Sequence, residues 1–210
     1  MIENDKDKAI DYVSKIISLA IEARIHLEII TDSISKSSLV KCLEKNEYSI
    51  IYSKTYYETF LDIFDVDYIN DNTFMKYDGG YWCGYVYMNI FYKYKKPLSY
   101  IFLKLPLSKL LDMYGIYHEM DISQVYEIFE KEAESDTIMG LLLKKHSISI
   151  KNLALKTTVS SRTISYYKNS DNNLYKGSFE NVAKISNYLD EPSSLFLETI
   201  GDCANYIPSA

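Results

Sequence analysis

The chain has few places at which a helix must break. Seven glycines and four prolines are spread over 210 residues, and between them apolar side chains recur at the three- and four-residue steps of a single helical face. Ile10, Val13, Ile17 and Ala20 keep that step near the start, and Leu107, Leu110, Leu111 and Tyr114 keep it in the middle. Thr55-x-x-Glu58, ahead of Phe60, Leu61 and Phe64, is a capping-box start signal. Gly79-Gly80 precedes an aromatic and apolar run over residues 81–94, which Lys95-Lys96-Pro97 ends. Residues 48–57 fit a strand pair or a helix, and periodicity does not decide between them. The expectation is a mainly α fold.

An apolar content of 47% is that of an ordinary globular chain and excludes disorder as the default. The first residues, MIENDKDKAID, carry both signs of charge where a secretory signal needs an unbroken apolar run. The longest apolar stretches, such as Tyr100-Ile101-Phe102-Leu103, fall far short of the ~20 residues that cross a bilayer. The expectation is a cytoplasmic protein with no membrane contact. Cys42, Cys83 and Cys203 are too far apart for the paired ligands of a structural zinc site, and are read as reduced, mostly buried thiols.

Charge divides the chain more sharply than its total of −6 suggests. Between residues 139 and 189 stand Lys144, Lys145, Lys151, Lys156, Arg162, Lys168, Lys176 and Lys184, against only Asp171 and Glu180. Eight bases against two acids leave +6 there and −12 on the rest. Only the basic part suits a phosphate backbone. The polar run Lys131-Glu-Ala-Glu-Ser-Asp-Thr137 places a boundary near Ser135. The expected organisation is an acidic, mainly helical partner, sensor or dimerisation domain over 1–134, a basic module over 135–200 and a tail over 201–210.

The basic module carries a pattern. Ser149 can cap a helix over Ile150–Thr157 whose inner face is Ile150, Leu153 and Ala154, and Ser160 can cap a second over residues 161–168, with Val159 and Ile164 inward. A small residue at 154 lets the two helices cross closely. The order Leu153-Ala154, four residues, Val159-Ser160, three residues, Ile164 resembles the Xre/Cro family of phage-repressor-like helix-turn-helix domains. Residues 178–189, Ser-Phe-Glu-Asn-Val-Ala-Lys-Ile-Ser-Asn-Tyr-Leu, are similar to the fourth helix of that family.

The resemblance implies a five-helix domain that puts its second motif helix into the major groove of double-stranded DNA. Base-facing residues would be Ser160, Ser161, Arg162 and Tyr166. Arg162 is one of two arginines in the chain and stands where a fork to guanine O6/N7 is possible. Ser149, Lys151, Lys156, Lys168 and Lys176 would meet phosphates. The chain departs from the family at three positions. Ile150 replaces a glutamine, Lys168 an acid, and Thr158 the turn glycine, so that Thr158 must take a positive φ. The loop over residues 169–177 is also about three residues longer than is common in such domains.

Other clusters have plainer explanations. His118-Glu119-Met120-Asp121 lacks the second histidine of a zinc motif, and Asp121 reads as an N-cap with Gln124 three residues on and Ile122, Val125 and Phe129 inward. The aromatic belt Tyr77, Tyr81, Trp82, Tyr85, Tyr87, Phe91, Tyr92 and Tyr94 is read as core, with Tyr81 and Tyr85 on a packed helix face rather than as a stacking platform for bases. His26 and His146 are read as structural. No phosphate loop, nucleophile elbow or paired catalytic carboxylates appear in the sequence, so the expectation is a non-enzyme without cofactor or metal. Two functions fit: a sequence-specific transcriptional regulator acting as a homodimer, or an antitoxin or phage-related anti-defence protein whose acidic domain holds a protein partner such as a toxin while its helix-turn-helix autoregulates.

Overall fold

Fourteen α-helices and no strand occur among the residues described by the computed structural model, 3–65 and 78–200. The expectation of a mainly α chain is met. Tyr77, Cys203 and the tail over 201–210 lie outside the described residues. None of the described helices is long and apolar enough to cross a membrane.

The frame is a pair of helices, α1 (Glu3–Glu22) and α6 (Asp78–Tyr94). Gly79 and Gly80 lie inside α6, not ahead of it. A Cβ on Gly80 would stand 2.9 Å from Ser18 Cα, and one on Gly84 would run into Ser14 Cα. The bare glycine backbone therefore lets the two axes approach, and Ser14, buried at the crossing, donates to Ile10 O at 2.7 Å. This crossing decides which aromatic residues of α6 turn inward. Cys83, Val86, Tyr87, Ile90 and Phe91 are buried, whereas Tyr81 and Tyr85 are exposed, the reverse of the packed face expected for that pair. Burial pushes the Cys83 thiol above its ordinary range, so it behaves as an inert core group.

Residues 48–57 belong to helices, α4 (Ser49–Ser53) and the start of α5 (Tyr56–Phe64), after α2 (Leu27–Lys36) and α3 (Ser38–Glu44). Thr55 and Glu58 form the capping box that starts α5. Tyr12 Oη, 2.6 Å from Thr59 Oγ1, ties α5 to α1. Past α6, α8 (Leu107–Tyr117) buries Leu107 and Leu110, and α9 (Ser123–Ser135) buries Val125 and Phe129. Asp121 is not the N-cap of α9, which starts two residues further on. Its carboxylate accepts the Ser123 N–H at 2.8 Å, and hydrogen bonds from the Ser123 hydroxyl and then from this N–H hold it below the usual carboxylate range.

At the centre lies α7 (Leu98–Lys104), a helix buried almost all round, whose apolar run over Tyr100–Leu103 is flanked by the buried polar Ser99 and Lys104. It touches α2, α6, α9 and also α10 (Ile138–Lys145). The buried apolar residues accordingly form one continuous cluster on both sides of Ser135. Polar groups cross there too. Glu44, buried at the end of α3, accepts the Leu98 N–H at 3.2 Å, and burial pushes its carboxyl up to about 7 against that bond and one from Ser194. Lys104 Nζ donates to Ala133 O at 2.9 Å and to Asp136 O, and pairs with Asp171 Oδ2 at 3.2 Å. Asp171 Oδ1 accepts the Ile138 N–H at 2.6 Å.

Candidate nucleic-acid interface

Five helices follow Asp136: α10, α11 (Ile150–Thr157), α12 (Ser161–Asn169), α13 (Asp171–Tyr175) and α14 (Phe179–Leu189). Each starts at a hydroxyl that accepts a first-turn N–H, from Thr137, Ser149, Ser160, Ser170 and Ser178 in turn. Caps of this kind contribute about 1 kcal/mol each and set the helix starts locally, which is why α11 and α12 fall where the serines place them. Leu153, Val159, Ile164, Tyr167 and Ile185 are buried, and they hold α11, α12 and α14 together. A short 3-10 turn, Ser193–Phe196, then packs back on α7.

Three residues join α11 to α12. Thr158, the first, has φ 59° and ψ 12°, the left-handed conformation that a branched side chain resists. The long loop over residues 169–177 is filled by α13, and it ends at Gly177, whose Cβ position lies 2.7 Å from Tyr167 Oη. Thr158→Gly should therefore stabilise the protein by about 1 kcal/mol, the left-handed strain removed less the entropy that glycine adds to the unfolded chain. A thermal melt should shift up by about 2–4 °C. A lower midpoint would mean that the threonine side chain contributes more than its strain costs.

All nine residues assigned to the site are exposed. On α12, Ser161, Arg162 and Tyr166 point away from the buried Ile164 and Tyr167, and Tyr166 is 53% exposed. The Ser160 hydroxyl is engaged in the cap, accepting the Thr163 N–H at 3.0 Å with Thr163 Oγ1 at 2.8 Å. Ser149 is engaged likewise at the Asn152 N–H. Ser149, Lys151 and Lys168 share one open groove with Lys144 and Asp136; Lys156 and Lys176 lie outside it.

The bases divide by their partners. Lys144 pairs with Asp136, Lys145 with Asp32 and Glu191, and Lys184 with Glu180. Lys151, Lys156, Arg162, Lys168 and Lys176 enter no ion pair among the described residues. The bracing under this surface escaped sequence reasoning. Asp171 falls in the loop expected over residues 169–177, Lys104 stands 67 positions earlier, and no local signal joins them.

No protein-family model, curated protein or solved structure matches this chain.

Proposed function

We propose that α11 and α12 act as a helix-turn-helix of the phage-repressor type and that the protein is a sequence-specific DNA-binding regulator. The observation that carries this reading is the split among the bases. Acids outnumber bases by six in the whole chain, yet between residues 139 and 189 bases outnumber acids by six, and of those eight bases the five assigned to DNA contact are exposed and enter no ion pair among the described residues. A polyanion supplies the missing counter-charge. Arg162 and Tyr166, one helical turn apart on the outer face of α12, face base edges in the major groove, while Lys151, Lys156, Lys168 and Lys176 meet phosphates on either side. Two copies of the chain would read half-sites ~34 Å apart.

Salt titration tests this reading. If the four lysines neutralise phosphates, log affinity falls with log salt at a slope of about −3.6, from about −0.9 per phosphate. Lys156→Ala and Lys168→Ala each weaken binding to every sequence alike and flatten the slope by about 0.9. Affinity that does not change with salt would make these cations a solvated surface.

A further inference from the structure

Where α2, α7 and α10 meet, the structure encloses a cleft of about 570 Å3, within the roughly 300–1,000 Å3 of pockets that hold small ligands. Each wall is one stripe of a helix, spaced by three and four residues. Glu28, Thr31, Asp32 and Ser35 line it from α2, Ser99, Phe102 and Leu103 from α7, and Leu141, Lys144 and Lys145 from α10. Phe102, Leu103 and Leu141 offer apolar surface together with Leu107 at the start of α8. The polar side is the ion-pair junction at which Lys145 Nζ lies 3.2 Å from Asp32 and 2.7 Å from Glu191.

Charge at this junction is out of balance. Three carboxylates, Glu28, Asp32 and Glu191, line the cleft against two ammonium groups, and His26 is the remaining titratable group in its walls. Neither ammonium is spare: Lys144 is held by Asp136 outside the cleft, and Lys145 is shared. Behind the wall, Lys36 is shared between Asp32 and Asp190, and His146 Nε2 lies 2.7 Å from Glu191. Burial works to raise the Asp32 carboxyl, but hydrogen bonds from Lys36 and Lys145 outweigh it and hold the group ionised. Glu28 is exposed and enters no ion pair among the described residues.

We propose that the cleft is a binding site for a small amphipathic cation, with its apolar body on Phe102, Leu103 and Leu107 and its ammonium head at Glu28 and Asp32. An anionic head would meet the carboxylate surplus, and a neutral one would leave it uncompensated. Because its walls come from both sides of Ser135, the occupant touches the basic module and the acidic body at once. The inference does not rest on DNA binding, and its test involves no DNA.

Calorimetric titration of the full chain with octylammonium, octanoate and octanol, which share one apolar body and differ in head charge, decides it. Octylammonium should saturate at one per chain, with octanol and octanoate at least tenfold weaker. Glu28→Gln should weaken octylammonium severalfold and leave octanol unchanged, and Leu141→Trp, which fills the cleft, should weaken both. Thermal melts of each variant check that it folds; if Leu141→Trp does not, Glu28→Gln and the three probes still decide. The proposal is overturned if no probe saturates, if octanoate or octanol binds as well as octylammonium, or if Glu28→Gln leaves octylammonium binding as it was.

Discussion

Lys104→Ala should lower the free energy of unfolding by about 3–5 kcal/mol, the cost of breaking a buried ion pair by removing one partner. The Lys104 side chain is fully buried, and its ammonium satisfies three acceptors at once: Ala133 O, Asp136 O and the Asp171 carboxylate. Without it, two carbonyls at the C-terminal end of α9 lose their donor, and Asp171, 20% exposed, keeps a charge with only the Ile138 N–H to hold it. Lys104→Met keeps the buried stem but removes the ammonium, which also lies 5.5 Å from the Tyr100 ring centroid, and should lose nearly as much. Asp171→Asn in the Lys104→Met background should cost far less than in the parent, because the two groups form one network. Urea denaturation of the parent and the four variants, the double one included, gives each value. A loss below about 1 kcal/mol for Lys104→Ala would mean that water or a neighbouring side chain replaces the ammonium.

Gly84→Ala should cost about 3 kcal/mol, the upper end of what overpacking costs, although alanine is intrinsically the better helix former. The atoms that it meets are Ser14 Cα and N, which belong to the backbone of α1 and cannot rotate away. The helices must separate, and separation loosens the packing of Cys83, Val86 and Tyr87, all fully buried. Gly115→Ala is the matched control. It lies within α8, exposed, with nothing within 4 Å of its Cβ position, so the same substitution should stabilise there by about 1 kcal/mol. Opposite signs in thermal melts are the expected outcome. A neutral Gly84→Ala would mean that α1 and α6 do not cross this closely.

What could be read from the sequence was what local chemistry decides. Hydroxyl caps at Thr55, Ser149 and Ser160 placed helix starts, and the step from Leu153 to Ile164 placed the inner faces of α11 and α12, because both signals lie within one turn of the residues they govern. Orientation set by distant partners was not readable. Tyr81 and Tyr85 share a helical face, but which face is buried depends on two glycines meeting two serines about 65 positions away. Asp121 holds an N–H as its type suggests, yet α9 starts two residues further on, with Ile122 at its N-cap. At the candidate site, exposure of Arg162 and Tyr166 followed from the inward Ile164. The engagement of the Ser160 hydroxyl in its cap was implicit in the same residue and competes with base reading. The joining of both halves of the chain through Lys104, Asp171, Lys145 and Glu191 had no signature, since ion pairs between distant surface-type residues leave no periodicity.

Base reading by α12, as proposed, is tested with least disturbance to the fold at Arg162. Arg162 is exposed and enters no ion pair among the described residues, so Arg162→Ala should shift stability by no more than about 0.5 kcal/mol. The direct measurement is selection of a preferred sequence from random duplex DNA by the full chain, followed by titration of the parent and Arg162→Ala on the selected site. One enriched sequence, an unchanged melting temperature, and a loss of about 1–3 kcal/mol in binding with preference relaxed at a single base pair are expected. No enriched sequence, or equal binding of the selected site by Arg162→Ala, would contradict base reading by α12 and favour a protein partner as the target of this chain.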